Sequence, residues 1–247
     1  MTTKQKIMAI IEARMTSERL PGKVLLPACG KPLLAHQIER LKRVKNLDGI
    51  VVATTINKAD DPIEDLAKIM GIYCFRGSEE DVLGRVLGAA QTNKVGIIVE
   101  LTGDCPAIDP IVIQEGIEQF LNSDVDYIEN TGFPGGMNYA IFRTKTLSEV
   151  EKETRNDLAA REHVSLPIYE NPKRYRIKRI TPSKKFCRPE IFVELDEEDD
   201  YKFIKTIFEA LYPKNPMFGL SEILTYLDQN PKVIQINEHV RRKTARV

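Results

Sequence analysis

Ile7-Met8-Ala9-Ile10-Ile11 is an unbroken apolar run that gives way at Glu12 to a polar stretch lasting to Gly30. A short apolar run bounded in this way reads as a strand buried on both faces. Working outward, the same pattern recurs. Leu34, Ile38 and Leu41 fall at i, i+4 and i+7, one face of a helix. Ile50–Thr55 is β-branched and compact, a second strand. Asp61-Pro62 opens a helix with Ile63, Leu66 and Met70 on one side, stopped by Gly71. Ile72–Phe75 reads as a third strand and Asp81–Thr92 as a helix. Ile97–Leu101 reads as a fourth strand, ending at Thr102-Gly103-Asp104-Cys105-Pro106, and Asp109-Pro110 starts a helix reaching Leu121. Strand and helix alternating at this spacing predict an α/β fold, a mostly parallel sheet with helices on both faces. Ligands of such sheets sit beyond the carboxyl ends of the strands, so the loops after Ile11 and Leu101 are where chemistry is expected.

The second half is less regular, an α+β elaboration. Tyr127–Gly136 reads as turn-rich, with Pro134-Gly135-Gly136. Thr146–Leu158 reads as a helix, Tyr175–Ile180 and Ile191–Leu195 as strands, and Glu198–Leu211 and Leu220–Leu227 as amphipathic helices. Without repeats, low-complexity tracts or a linker, residues 1–247 are read as one domain.

The 36 basic and 36 acidic residues cancel, which argues against general binding to nucleic acid. A hydrophobic share of 42% with 29% charged residues excludes collagen, coiled coil and bulk disorder. The opening apolar run is far too short to span a membrane, and no basic segment followed by a long apolar stretch marks a secretory signal. Cys29, Cys74, Cys105 and Cys187 are scattered, without metal-ligand spacing, so reduced thiols in a cytoplasmic setting are expected. His36, His163 and His239 are too widely separated for a zinc site to be expected.

Four segments carry chemistry. The first is Glu12-Ala13-Arg14-Met15-Thr16-Ser17-Glu18-Arg19-Leu20-Pro21-Gly22-Lys23, just after the first strand. It is neither a Walker loop nor a dinucleotide fingerprint. Its arginines can still hold phosphate oxygens in paired hydrogen bonds, and Lys23 adds a point charge. A solvated basic loop is the plain alternative. The second is Asp104, placed where a magnesium carboxylate is useful or where an aspartate caps the next turn. The third is Glu194-Leu195-Asp196-Glu197-Glu198-Asp199-Asp200, most of which suits a helix N-terminus. Asp196, at the end of an apolar run, is best placed to join Asp104. The fourth, Arg161-Glu162-His163-Val164, sets a histidine beside an acid, with a surface salt-bridge segment as the plainer reading.

The stretch Ala13–Lys23, with Gly30-Lys31-Pro32-Leu33-Leu34, resembles the cytidylyltransferases that activate acidic sugars, the CMP-Kdo and CMP-acylneuraminate synthetases. The spore-coat polysaccharide biosynthesis branch is the more similar one. Val51–Thr55, Phe75–Leu83, Thr102–Pro106, Ile108-Asp109-Pro110 and Arg161–Val164 carry the same resemblance, which runs from about Ile7 to at least Leu211. It implies a nucleotidyltransferase with a Rossmann-like sheet, cytoplasmic and homodimeric, that couples CTP to an acidic sugar or related small acceptor. Residues of about 1–125 would bind nucleotide, about 126–215 would supply acceptor and dimer contacts, and 216–247 would form a C-terminal helix and tail. Ala13, Arg14, Ser17, Arg19 and Lys23 match the triphosphate loop, and Arg76, Ser78 and Arg85 the base and ribose side. Asp104 and Asp196 match the Mg2+ ligands. Asn138, Arg161, Glu162 and His163 are the implied acceptor contacts, and Arg14, Lys23 and Asp104 the catalytic set.

The branch carries Pro-Asp-Gly-Leu-Asp-Val-Glu near the acceptor pocket, where this chain has Pro134-Gly135-Gly136-Met137-Asn138-Tyr139-Ala140. Three acidic positions have become Gly135, Asn138 and Ala140, so a different acceptor is expected, more anionic or less hydroxyl-rich. Alternative readings are a guanylyl- or uridylyltransferase acting on a sugar 1-phosphate, and a non-catalytic nucleotide- or partner-binding relative. The basic run His239–Arg246 offers nucleic-acid binding, but a short basic tail more often lies on its own domain.

Overall fold

The protein is described by a computed structural model covering residues 5–242. Strand β1 (Ile7–Glu12) leads through a long loop into the hairpin β2 (Pro27–Ala28) and β3 (Lys31–Pro32), then helix α1 (Leu33–Leu41). Next come β4 (Gly49–Thr55), α2 (Asp61–Ile69), β5 (Tyr73–Gly77), α3 (Val82–Thr92), β6 (Ile97–Thr102) and α4 (Pro110–Leu121). The second half adds β7 (Tyr127–Asn130), β8 (Ala140–Arg143), α5 (Thr144–Glu153), α6 (Leu158–Glu162), α7 (Leu166–Tyr169) and β9 (Ile177–Ile180). It closes with α8 (Glu198–Leu211), α9 (Leu220–Gln229) and α10 (Pro231–Ile234).

The main sheet has the order β5-β4-β1-β6-β8-β7-β9. Strands β5, β4, β1 and β6 are parallel, β8 runs antiparallel to β6 and β7, and β7 is parallel to β9. This is an α/β, Rossmann-like, mostly parallel sheet. Alternation along β1 divides the core. Ile7, Ala9 and Ile11 pack with Leu34 and Ile38 of α1, Ile117 of α4 and Phe208 of α8 on one face. Met8 and Ile10 pack with Leu83 and Val86 of α3 and Leu147 of α5 on the other. The chain steps outward from β1 to β4 and β5, then returns to place β6 on the opposite side of β1. That reversal opens a crevice at the carboxyl ends of β1 and β6.

Four expectations are corrected. Tyr127–Asn130 is a strand, because β8 and β9 pair with it on both sides. The turn-rich stretch begins only after it. The third strand starts at Tyr73, since Gly71 turns the chain at φ 63° just before it. The helix expected over Thr146–Leu158 ends at Glu153, and Asp157 caps a new one by accepting from the Ala160 N–H. Ile191–Leu195 is buried but is no ladder strand. It makes one bridge, Phe192 with Gly135, and otherwise lies against the loops. Among the described residues no helix is long and apolar enough to cross a membrane.

Candidate active site

The loops after β1 and β6 meet in the crevice. The Gly103 N–H donates to Glu12 O at 2.8 Å, and a Cβ on Gly103 would lie 3.0 Å from both Ala13 Cβ and Glu12 O, so the close approach needs glycine. Upstream, the Met15 N–H donates to Asp60 Oδ1 (2.6 Å), and Gly22, at φ 73°, turns the chain immediately before Lys23. The turn delivers the Lys23 side chain across the crevice. Its Nζ donates to Asp104 Oδ2 at 2.9 Å, Asp196 Oδ1 at 3.0 Å and Leu195 O at 2.6 Å.

Asp196 reaches this point because the Leu195 N–H donates to Asp104 O (2.9 Å), which ties the stretch before α8 to the loop after β6. Asp200, fully buried in the first turn of α8, accepts from the Asp196 and Glu197 N–H groups. Arg242 pairs with Asp200 at 2.7 Å and Asn237 donates to it at 2.8 Å. The first part of the basic tail is therefore bound to its own domain. Lys243 to Arg246 lie outside the described residues. Arg19 pairs with Asp196 (2.8 Å) and Glu197 (3.2 Å).

The electrostatics follow from this packing. Burial disfavours the Lys23 charge, yet Asp104 and Asp196 hold its ammonium above the ordinary lysine range. Burial likewise opposes the Asp196 charge, but Lys23 and Arg19 hold that carboxylate below the usual range. Glu194, pressed by burial and then by the charges of Asp104 and Asp196, is pushed up to about 7. Arg19 and Arg242 flank these acids beside Lys23, at 2.8 Å and 3.8 Å from Asp196.

Ala13, Arg14, Ser17, Arg19, Lys23, Arg85, Asp104, Glu162, His163 and Asp196 line one cleft of about 460 Å3. A larger cavity, about 1030 Å3, lies between α4 and the start of α9 and contains none of the expected site residues. Four of the expected residues, Arg76, Ser78, Arg161 and Asn138, do not line this cleft. Arg76 pairs with Asp61 (2.6 Å) and Glu64 (2.8 Å) and donates to Thr55 O and Asn57 O, clamping the β4–α2 connection. The Ser78 hydroxyl accepts from the Asp81 N–H at 3.3 Å, ahead of α3. Arg161 is held by Asp81 and by Glu151 at 3.5 Å. Asn138 lines a neighbouring hollow.

Two residues escaped the sequence reading. Glu12 ends β1 and Glu100 lies inside β6, and their carboxyls interact. The available signal was an acid inside the otherwise apolar run Ile97–Leu101. Glu12 is held well above the usual carboxyl range by burial and then by Glu100, and burial pushes Glu100 up to about 7.

Among the described residues no cluster of three or more His, Cys, Asp or Glu side chains is arranged to hold an ion. Two carboxylates, Asp104 and Asp196, do converge on the point that the Lys23 ammonium occupies. Two carboxylates completed by water and phosphate suit Mg2+, so this donor set fits that metal.

Residues 8–230 match a protein family described as cytidylyltransferase. An uncharacterized protein of Methanocaldococcus jannaschii is 35% identical over 241 residues, covering 98% of each chain. The spore coat polysaccharide biosynthesis protein SpsF of Bacillus subtilis is 32% identical over 229 residues, 91% of this chain and 95% of that one. The solved structure of a cytidylyltransferase from Leptospira borgpetersenii superposes with a TM-score of 0.88 at 30% identity, covering 98% of this chain and 100% of that one.

Proposed function

The chain belongs to the cytidylyltransferase family and is a nucleotidyltransferase, and from that premise we propose that it transfers the cytidylyl group of CTP to a small sugar-type acceptor, with magnesium. An acceptor oxygen attacks the α-phosphorus, the bond from that phosphorus to the β-phosphate oxygen breaks, and pyrophosphate leaves. The observation that carries this is the convergence of Lys23, Asp104 and Asp196 in the crevice between β1 and β6. Arg14 and Arg19 line the same cleft, where they can hold the β- and γ-phosphates. Lys23 lines the same cleft, where its ammonium can stabilise the negative charge that develops on the departing pyrophosphate. Asp104 and Asp196 would hold Mg2+, which supplies positive charge to the phosphate oxygens. No protein nucleophile is needed, and the residues act by positioning and by charge. A role in surface glycan assembly accords with the name of the Bacillus relative. A homodimer in the cytoplasm is part of the same proposal.

The test is pyrophosphate release from CTP, GTP, UTP and ATP with a panel of sugars, with and without Mg2+. CTP-selective, Mg2+-dependent release supports the reading. Equal use of GTP or UTP, or no release with any sugar, refutes it.

A further inference from the structure

Asp196 lies between two points that the segment after α10 holds together. Downstream of it, Asp200 is fully buried in the first turn of α8. Asp200 Oδ2 accepts from the Asp196 N–H at 3.0 Å and the Glu197 N–H at 2.9 Å, so this carboxylate fixes the backbone that carries Asp196. Upstream of it, Phe192 O accepts from Asn237 Nδ2 at 2.9 Å. The same amide donates to Asp200 Oδ1 at 2.8 Å and so joins the two points. Arg242 repeats the bridge. Its Nη1 and Nη2 form a fork on Asp200, at 2.9 Å to Oδ2 and 2.7 Å to Oδ1, and its guanidinium carbon lies 4.6 Å from the centre of the Phe192 ring.

A carboxylate taken out of water is costly unless a cation meets it. Among the described residues Arg242 is the cation paired with Asp200. Arg242 is itself mostly out of water, and its buried Nε stands 3.7 Å from Glu194 Oε1 without a hydrogen bond. A solvated chain end needs none of this; a fork on a carboxylate and a ring face used together hold one fixed geometry. Arg242 does not line the cleft, and its 3.8 Å approach to Asp196 Oδ2 is too long for a hydrogen bond. Its effect on Asp196 therefore runs through Asp200. The preceding residue touches the phosphate loop as well, since Arg241 O accepts from Arg19 Nη1 at 3.3 Å.

We propose that Arg242 is a positioning residue for the divalent cation: by pairing with Asp200 it holds the Asp196 carboxylate where it can share a metal with Asp104. The inference rests on the nucleotidyl-transfer reading and adds to it a group that lies beyond residues 8–230, the span that matches the family. Asn237 supports the same carboxylate from the same segment.

Titration calorimetry on the full chain tests this with CTP and no acceptor, so that nothing turns over. CTP affinity is measured in EDTA and in Mg2+, and the ratio of the two is the metal's share. Arg242→Ala should leave the affinity in EDTA within twofold and cut the ratio by about tenfold, as loss of a group that orients a metal ligand does. Arg242→Lys keeps a charge but not the fork, and should recover only part of the ratio. In an Asp200→Asn background, Arg242→Ala should change the ratio by less than twofold, because the carboxylate through which it acts is gone. An undiminished ratio in Arg242→Ala, an equal loss of affinity in EDTA, or full additivity with Asp200→Asn overturns the inference. Should Arg242→Ala fail to fold, a wild-type ratio in Arg242→Lys overturns it. A wild type that binds no CTP, or gains nothing from Mg2+, overturns instead the reading on which the inference rests.

Discussion

Replacing Lys23 by Met keeps an apolar stem of similar reach and deletes the charge. Three contacts go at once, to Asp104 Oδ2, Asp196 Oδ1 and Leu195 O. The Lys23 side chain is only 12% exposed, and those of Asp104 and Asp196 are 24% and 19%. Breaking a fully buried pair costs about 3–5 kcal/mol. Here the aspartates keep some water and Asp196 keeps Arg19 at 2.8 Å, so about 1–2 kcal/mol is the reasoned loss. In a chain of this size that lowers Tm by about 3–6 °C. The effect depends on pH with a definite sign. Asp196 is depressed in the folded state, so its stabilisation is present above the unfolded aspartate range and is lost as pH falls through its lower folded pKa. The gap between wild type and variant should therefore be full at pH 7 and close in strong acid. Mg2+ should narrow it too, because a divalent ion can take the place of the missing ammonium, and it should raise the variant's Tm more than the wild type's. Turnover should fall about 10²–10³-fold, the usual loss of one preorganised charge aimed at developing negative charge. Calorimetry with and without Mg2+, beside a pyrophosphate assay, reads all three. A variant that melts with the wild type, ignores Mg2+ and turns over normally would falsify the assigned geometry.

Asp104→Asn should stay folded, lose about 10²-fold or more in turnover, and lose the Mg2+-dependent part of CTP binding measured by titration calorimetry. Glu100 is raised to about 7, so the stability it contributes is present below the ordinary carboxyl range and is lost as pH climbs from about 4.5 to about 7, and Glu12 is raised in the same direction. Glu100→Gln should flatten that decline and gain about 1–3 kcal/mol at pH 8 in urea unfolding, and a curve parallel to wild type would contradict the upward shift at Glu100. Arg76→Ala should lower Tm slightly through loss of the Asp61 and Glu64 contacts and leave CTP affinity within twofold, whereas a tenfold loss would return Arg76 to the nucleotide site.

The first half of the fold was legible because strands buried on both faces need apolar side chains in both directions, so Ile7–Ile11 and Ile97–Leu101 stand out without any pattern match. Strand β8 did not stand out. Ala140–Arg143 is four residues long, follows a Pro-Gly-Gly turn, and is a strand because β6 and β7 accept it on either side. The reverse held for Ile191–Leu195, where an apolar run reported burial and nothing about a ladder. The candidate site divides along the same line. Lys23 and Asp104 lie in the loops that follow two strands the topology makes neighbours, so their sharing one crevice could be anticipated from strand order. Arg76 was expected on the base and ribose side of the nucleotide, but its direction is set by Asp61 and Glu64, acids brought beneath it only when β5 pairs with β4. Glu100 and Glu129 were unremarkable singly, since an acid in a strand carries no motif, and Ala140 stood out only as an acidic position lost. Register alone made them a row across three adjacent strands. Composition pointed to the loops after β1 and β6, whereas strand pairing decided which side chains meet there.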